Sequence, residues 1–230
     1  MNTPQCSLVL PCRNEATHLT AVLAAAPKIV TEIIIVDNNS TDNTAQVCAK
    51  LAKQDSRIRY LLDPRQKDGV GYGFAIMTGL VAARGDFVIV ADGDGSYPFG
   101  EILSAVEFME KQRLDFVSCS RYPVGSGAEP IPIKLWAGVR ILNTWVKLLY
   151  GLKFDDILSG MMIIRRASLN KLRLDAGDWN MSPQLKLEAF RHLRASEFHI
   201  SQQQRFGKTK QHYVKTGISH MFWILANRFQ

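Results

Sequence analysis

Short apolar segments alternate with amphipathic segments along the first hundred residues. Four of them are mostly apolar or β-branched, which is typical of strands covered on both faces; they span residues 6–11, 32–37, 57–62 and 86–91. Three segments between them repeat apolar positions with the period of a helix; they span residues 18–26, 42–53 and 72–83. This alternation predicts an α/β fold with a mostly parallel sheet flanked by helices.

The second half of the chain continues with less regular alternation. Strands are predicted at 115–120, 161–165 and 197–203, and helices at 101–111, 131–150 and 182–194. A loop rich in proline and glycine is predicted at 121–132. The pattern fits a single domain over residues 1–212, followed by an amphipathic segment at 213–230.

Composition narrows the classes of partner. The chain has 230 residues, with 28 Lys+Arg against 21 Asp+Glu and a net charge of +7, so anionic partners are expected. No recognised nucleic-acid motif accompanies this charge, and no nucleic acid is predicted. The four cysteines are scattered, no secretory leader precedes them, and the apolar run at 221–226 is too short to cross a bilayer. A reduced, cytoplasmic setting is therefore expected.

Polar side chains follow three of the four first strands. The stretch "PCRNE" ends the first strand, Asp37 ends the second, and Asp92 and Asp94 follow the fourth. The carboxyl ends of parallel strands meet at one edge of a sheet, so these groups should converge. Asp37 by itself would also suit a helix cap. Asp92 and Asp94 repel each other unless a cation is shared or one of them is hydrogen-bonded. A hard divalent ion is the usual remedy, which predicts a site for Mg²⁺ or Mn²⁺.

Two familiar phosphate-binding loops do not fit. The stretch "DGVGYG" at 68–73 lacks the G-x-G-x-x-G spacing of dinucleotide-binding loops, and it lacks the Gly-Lys-Ser/Thr of a P-loop. The five histidines show no metal-binding spacing. The acidic strand ends are therefore the main candidates for chemistry.

Four stretches together resemble the family 2 glycosyltransferases, which have the Rossmann-like GT-A fold. These are "LVLPCRNE", "IIIVDNNSTDNT", "GYGFAIMTGLVAARGD" and "ADGDGSYP", in this order within the first hundred residues. The later stretches "SR" at 120–121, "FDDILSGMMIIRR" at 154–166 and "RFGKTK" at 205–210 resemble the polyprenyl-phosphate branch, which includes dolichol-phosphate mannosyl- and glucosyltransferases.

The resemblance implies roles for individual residues. Pro11, Asn14 and Glu15 would shape the nucleotide pocket, and Asp37 would contact the base. Asp92 would lie by the ribose and the diphosphate, and Asp94 would hold a metal that bridges the diphosphate. The basic positions that serve phosphate groups in the family are matched by Arg121, Arg165, Arg205 and Lys210.

This chain departs from the family pattern at several positions, which leaves the sugar open. The commoner "VDDGSTD" is "VDNNSTD" here, so Asn38 replaces a carboxylate and Asn39 replaces a glycine. Ser96 stands where mannosyl-transferring relatives often have glutamine. The glycine-rich stretch has Val70 and Tyr72 where many relatives have lysine.

The predicted reaction is metal-dependent, inverting transfer of a sugar from a UDP- or GDP-sugar to a polyprenyl phosphate. A phosphate acceptor is already anionic and needs steering by Arg and Lys rather than a general base. Two alternatives stay open. A hydroxyl acceptor would need a carboxylate base, for which Asp156 is the candidate. A nucleotide-sugar-binding membrane adaptor without catalysis is the other.

A lipid acceptor calls for contact with a membrane. The segments 131–150 and 213–229 combine Trp, Leu and Ile with Lys and Arg, the composition of an interfacial helix, although both would also suit packing on the domain. The protein is expected at the cytoplasmic face of a membrane as a peripheral protein. A separate membrane-anchoring protein is a possible further partner.

Overall fold

A computed structural model describes residues 4–122, 132–207 and 209–228. Most of the loop predicted at 121–132 lies outside these residues, as do the last two positions of the chain. The described residues contain seven strands and seven α-helices.

A single seven-stranded sheet forms the centre of the molecule. The strands are β1 Cys6–Cys12, β2 Val30–Asp37, β3 Ile58–Leu62, β4 Phe87–Val90, β5 Phe116–Ser120, β6 Met162–Arg165 and β7 Ala195–His199. Their order across the sheet is β3-β2-β1-β4-β6-β5-β7. β6 runs antiparallel to both of its neighbours, and every other pair is parallel. The predicted α/β fold with a mostly parallel sheet is confirmed.

Helices cover both faces of the sheet, which explains the unbroken apolar runs of the strands. The helices are α1 Leu19–Ala24, α2 Thr44–Gln54, α3 Tyr72–Ala82, α4 Ile102–Lys111, α5 Ile133–Tyr150, α6 Met181–His192 and α7 Tyr213–Asn227. Leu8 and Leu10 of β1 belong to the core under α1, α2 and α4, whereas Val9 belongs to the opposite core under α3 and α6.

The last strand is shorter than the sequence predicts. β7 stops at His199, whereas the apolar pattern extended it to residue 203. The amide of Ile200 still donates to the carbonyl of Ser120 at the end of β5, at 2.8 Å, but the amide of Gln203 donates to the carbonyl of Ser96 at 3.0 Å. This turns residues 200–207 and 209–211, which we call the strap, toward the carboxyl end of β4.

Helices α5 and α7 pack against each other through a third apolar core. Val146 of α5 and Ile224 of α7 are both buried in it. The indole of Trp145 donates to the carbonyl of Met221 at 3.2 Å, and the hydroxyl of Tyr150 donates to the carbonyl of Ile224 at 2.8 Å. No helix of the described residues combines the length and the apolar character that crossing a membrane requires. The domain boundary at residue 212 stays a prediction.

His220 joins α7 to the body of the protein and makes a pH dependence of folding predictable. Its side chain is buried, and its Nδ1 lies 2.7 Å from Oδ1 of Asn180. Burial lowers the pKa of His220 to about 4; the charge of Asp178 opposes this shift and that of Lys186 supports it. Between about pH 6.5 and about pH 4 the unfolded chain therefore binds more protons at this residue, so stability falls as the pH falls.

Lowering the pH from about 7 to about 5 is expected to cost the wild type about 2 kcal/mol more than His220→Gln. Urea unfolding of both proteins at the two pH values measures the difference, and the other titrating groups cancel in the comparison. Identical pH slopes for the two proteins would contradict a buried neutral imidazole.

Candidate active site

The carboxyl ends of β1 and β4 open into a cavity of about 370 Å³. Because β1 and β4 are parallel neighbours, the residues that follow them meet at one edge of the sheet. Most of the predicted site residues line this cavity: Pro11, Asn14, Glu15, Asp92, Asp94, Arg205 and Lys210. The strap supplies the last two of these and forms the outer wall.

Asp92 and Asp94 lie just beyond β4 and are held by different donors. The Oδ1 atom of Asp94 accepts from the backbone amide and the hydroxyl of Ser96, at 2.9 and 2.6 Å. Its Oδ2 atom lies 2.6 Å from Nη2 of Arg205. The hydroxyl of Tyr72 donates to Oδ1 of Asp92 at 2.9 Å. Burial and then the charge of Asp94 raise the pKa of Asp92 to about 6, so this pair carries more negative charge than its surroundings neutralise.

The two carboxylates fit a hard divalent cation as part of a shared site. No group of three or more His, Cys, Asp or Glu side chains among the described residues is arranged to hold a metal ion. Mg²⁺ and Mn²⁺ are commonly held by one or two carboxylates together with substrate phosphates, and this arrangement would relieve the repulsion between Asp92 and Asp94. The protein therefore offers part of the coordination sphere of the cation, and substrate phosphates would supply other ligands.

The strap closes over the carboxylates through backbone and side-chain contacts. The amide of Phe206 donates to the carbonyl of Asp94 at 2.8 Å, and the Phe206 ring stacks on His18 with centroids 5.5 Å apart. Gly95 has a φ of 77°, and a Cβ atom there would lie 2.6 Å from the Phe206 ring. A glycine is therefore required at this position both by conformation and by space.

Asn14 and Glu15 form the rim above β1. Asn14 has a φ of 55°, a conformation that asparagine tolerates better than most residues, and its Oδ1 accepts from the amide of Thr41 at 2.8 Å. Glu15 is paired with Lys210, which also donates to the carbonyl of Arg13. Burial raises the pKa of Glu15 even though Lys210 acts in the opposite direction. This pair ties the strap to the end of β1.

Asp37 is close to the cavity but does not line it, whereas its neighbour Asn38 does. The carboxylate of Asp37 accepts from the hydroxyls of Ser40 and Tyr60, at 2.6 and 2.9 Å. The Nδ2 atom of Asn38 donates to the carbonyls of Asp63 and Arg65, at 2.6 and 2.9 Å. Its Oδ1 atom is buried and has no hydrogen-bond partner. Asn38 is thus the residue of this pair that reaches the cavity wall, and a contact of Asp37 to the base stays a prediction.

Arg121 and Asp156 form a buried ion pair behind the cavity. The guanidinium donates through Nε to Oδ2 at 2.6 Å and through Nη2 to Oδ1 at 3.0 Å. Burial opposes ionisation of Asp156, but Arg121 holds its pKa below the usual range. Neither residue lines the cavity. The structure thus engages both oxygens of Asp156, the residue that sequence analysis offered as a general base.

A fully buried lysine organises the loop that carries Asp156. The ammonium of Lys186 on α6 donates to the carbonyls of residues 156, 157 and 159, at distances of 3.1, 2.9 and 2.6 Å. The carboxylate of Glu197 on β7 accepts from the amides of Asp155 and Asp156. Gly160, at the end of this loop, donates its amide to the hydroxyl of Tyr97. The loop is therefore held from three sides next to Asp92.

The structure does not bring Arg165 to the site, which corrects the sequence-based assignment. Arg165 ends β6 and pairs in register with Phe87, the first residue of β4. Since β6 is antiparallel to β4, its end lies at the edge of the sheet opposite Asp92. There Arg165 donates to Glu110 at 2.7 Å and lies over the Phe87 ring. It has no part in the cavity.

The family model described as Glycosyl transferase family 2 matches residues 7–173, which include the ends of β1, β2 and β4. This chain is a family 2 glycosyltransferase. The predicted family and the dependence on a nucleotide sugar are thereby confirmed. The further assignment to the polyprenyl-phosphate branch stays a prediction.

Two curated relatives of this glycosyltransferase illustrate the range of similarity. An uncharacterised glycosyltransferase of Mycobacterium tuberculosis is 35% identical over 163 residues, which cover 71% of this chain and 68% of that relative. The dolichyl-phosphate β-glucosyltransferase of Saccharomyces cerevisiae is 30% identical over 114 residues, covering 46% of this chain and 34% of that enzyme. This chain therefore matches about a third of the yeast enzyme's length.

Among solved structures, the glycosyltransferase resembles glucosyl-3-phosphoglycerate synthase from Mycobacterium tuberculosis in complex with Mn²⁺, UDP and glucosyl-3-phosphoglycerate. The TM-score is 0.73 at 20% identity, and the match covers 98% of this chain and 80% of that one. Likeness at this identity establishes the shared GT-A fold.

Sequence reasoning missed an aromatic wall of the glycosyltransferase cavity. Tyr72 and Trp179 both line it, with ring centroids 4.8 Å apart. The rejected glycine-rich stretch also contributes, because residues 69–71 line the cavity beside Asn38. A Cβ atom at Gly71 would lie 2.1 Å from Nδ2 of Asn38, so this glycine allows close packing rather than phosphate binding of a known type. The glycine-rich stretch at 68–73 was the sequence signal that could have pointed to this part of the cavity.

Proposed function

We propose that this glycosyltransferase transfers a hexose from a UDP- or GDP-sugar to a polyprenyl phosphate, with inversion at the anomeric carbon and with help from Mg²⁺ or Mn²⁺. The observation that carries the proposal is the meeting of Asp92 and Asp94 with Arg205 and Lys210 in one cavity. Paired carboxylates for a cation and cationic side chains for phosphates are what a nucleoside diphosphate requires. An adaptor that bound a nucleotide sugar without a metal would need only the cationic side chains.

The chain's own groups divide the work on the donor diphosphate. Asp94 and Asp92 would hold the divalent cation, which when bound offsets the negative charge that grows on the departing diphosphate. Arg205 is paired with Asp94 in this structure, at 2.6 Å. Lys210 sits at the rim on Glu15. Both lie on the strap, so a diphosphate entering the cavity meets their charges on one side and the carboxylates on the other.

The state of the carboxylates favours an anionic acceptor. Among the described residues, Glu15 is paired with Lys210, Asp94 with Arg205, and Asp156 with Arg121. Asp92 forms no such ion pair in this part of the chain, and we assign it to the divalent cation. A hydroxyl acceptor needs a carboxylate that is free to take a proton, and Asp156 is committed to its arginine. A phosphate oxygen attacks without losing a proton and needs only positioning. A single displacement of this kind inverts the anomeric carbon. The similarity to the yeast dolichyl-phosphate β-glucosyltransferase supports the same acceptor and a hexose.

Asn38 supports a donor that carries uracil or guanine. The carbonyls of Asp63 and Arg65 fix the amide with Nδ2 toward themselves, because the flipped amide would set oxygen against oxygen. Oδ1 is thereby left as a buried acceptor without a partner at the cavity wall. At the ring nitrogen of their pairing edge uracil and guanine present an N–H, whereas cytosine and adenine present an acceptor there and carry their donor on the neighbouring exocyclic amino group. An unpaired buried acceptor that faces this ring nitrogen therefore discriminates between the two classes.

UDP or GDP is expected to bind at least about tenfold tighter than CDP and ADP, and Asn38→Ala is expected to remove most of this preference. Titration calorimetry with the four nucleotides in the presence of Mn²⁺ measures both effects. Asn39→Gly is the matched control, because Asn39 is exposed and has a φ of 58° that glycine adopts freely. Equal loss of affinity for all four nucleotides in Asn38→Ala would contradict base reading by this residue.

Sugar transfer itself is tested with labelled donors. The protein is incubated with a polyprenyl phosphate, Mn²⁺ or Mg²⁺, and a panel of labelled UDP- and GDP-hexoses; parallel reactions replace the lipid with oligosaccharides or phosphoglyceric acid. Label in a product that extracts into organic solvent and is released by mild acid supports the proposal. Label only in water-soluble products would assign a hydroxyl acceptor instead. Nucleotide-sugar binding without turnover would identify a non-catalytic protein.

A further inference from the structure

The large apolar side chains that are exposed concentrate on two helices. Twelve such side chains occur among the described residues, and eight of them belong to α5 and α7. They are Ile133, Trp136, Ile141 and Leu148 on α5, and Tyr213, Val214, Ile218 and Phe222 on α7. Apolar surface gathered in this way marks a binding surface more often than scattered single residues do.

The inner sides of both helices are already used, so the exposed residues are not a core that failed to close. Leu142 and Val146 of α5 are buried against Ile224 of α7 in the third core. Arg228 closes the far end of the pair by donating to the carbonyl of Leu149 at 2.7 Å. Each helix is thus fixed to the protein by one side and presents the other side to the outside.

The charge on these outer sides has one sign. Neither α5 nor α7 contains an aspartate or a glutamate. Lys134, Arg140 and Lys147 are exposed on α5, and Lys215 is exposed on α7. Basic residues set among Trp, Tyr, Ile, Leu and Phe are the composition of a helix that lies in the headgroup region of an anionic membrane.

We propose that the outer sides of α5 and α7 form a docking surface for an anionic lipid bilayer, which we call the lipid-facing surface. Two copies of this chain that met through the same surface would set its lysines and arginines against each other, which disfavours a symmetric dimer. A bilayer with anionic headgroups supplies the opposite charge and also takes up the apolar side chains.

The lipid-facing surface adjoins the active-site cavity. A small groove of about 40 Å³ between α5 and α7 is lined by Leu135, Tyr213 and Gln211 among others, and Gln211 also lines the large cavity. The strap runs directly into α7 at this point. Docking would therefore place the mouth of the cavity next to the headgroups, where a polyprenyl phosphate lies. This use of the surface rests on the proposed function, whereas docking itself does not.

Vesicle flotation with the full chain tests the docking alone, without nucleotide and without polyprenyl phosphate. Binding to phosphatidylcholine vesicles that contain about one-third phosphatidylglycerol is expected to exceed binding to pure phosphatidylcholine by roughly tenfold or more, and to weaken in high salt. The double variants Ile218→Ser/Phe222→Ser and Ile141→Ser/Leu148→Ser are each expected to lose roughly tenfold or more in affinity. Val81→Ser/Leu103→Ser is the matched control, since both residues are exposed apolar side chains on other helices.

Two further measurements separate the outcomes. Thermal unfolding and UDP binding of the variants should match the wild type, because the substituted side chains are exposed and lie outside the cavity. Equal vesicle binding by the α7 variant and the control would overturn the proposal. So would a wild-type dimer that the α7 variant turns into a monomer without a change in vesicle binding. Sugar transfer that fails while vesicle binding succeeds would reject the proposed function and leave the lipid-facing surface standing.

Discussion

Asp94→Asn lowers kcat/KM for sugar transfer by at least about 100-fold while the protein stays folded; this is the largest expected effect on activity. The substitution keeps the shape of the side chain and its hydrogen bonds from Ser96, but it removes the charge that faces Arg205. With one carboxylate left at the end of β4, a divalent cation loses a ligand and the diphosphate loses its counter-charge. Steady-state kinetics at saturating Mn²⁺ measures the loss.

Three comparisons make this result specific. Glu107→Gln on α4 also removes one negative charge, and this exposed residue lies outside the cavity, so its activity should stay within about twofold of wild type. Manganese binding in the presence of UDP, followed by electron paramagnetic resonance, should weaken in Asp94→Asn. Arg205→Gln should retain manganese binding but bind UDP less tightly. Near-normal turnover by Asp94→Asn would reject the role of this carboxylate in holding a cation.

Asp156→Asn destabilises the protein by about 3–5 kcal/mol, the largest expected effect on folding. The carboxylate is fully buried, and it is the charged partner of Arg121 through two hydrogen bonds. The buried ammonium of Lys186 on α6 donates to the carbonyl of Asp156 in the same loop. Without the aspartate charge, the cations of Arg121 and Lys186 stay in a largely buried region without this counter-charge. Urea unfolding at neutral pH measures the change.

Two variants distinguish the loss of a charge partner from a general effect of substitution. The partly exposed ion pair between Asp55 and Arg57 is the comparison, and Asp55→Asn should cost less than about 1 kcal/mol because solvent screens it. Replacing the buried pair together, as Asp156→Leu/Arg121→Met, should recover most of the stability that Asp156→Asn loses. If the double variant is as unstable as the single one, the stabilisation comes from the packing of the loop and not from the ion pair.

The first half of the fold was predictable because its signals are local. Each of the first four strands is an apolar run, and in a parallel sheet the residues that follow such runs share one edge. This is why Pro11, Asn14, Glu15, Asp92 and Asp94 were placed together from their positions alone, and the structure finds all five at one cavity. The family model covers the same part of the chain.

The second half was less predictable because its contacts depend on direction and distance. Arg165 was assigned to the site because it matches a basic position of the resembled family, and the apolar pattern does not tell a parallel strand from an antiparallel one. β6 enters the sheet in the reverse direction and carries Arg165 to the opposite edge. Tyr72 meets Trp179 across more than a hundred residues of chain, and no local pattern encodes that contact.

Periodicity and short motifs were enough to predict the α/β class, the strand ends with their carboxylates and the family. Which charges are free to act depends on tertiary contacts, which those patterns do not contain. Asp156 is an acid in sequence but a buried partner of Arg121 in space, and Asn38 replaces Asp37 at the cavity wall. The tertiary structure also determines that α5 and α7 each bury one side and expose the other. A side chain's charge and exposure are set by what folding brings beside it, and composition does not record those neighbours.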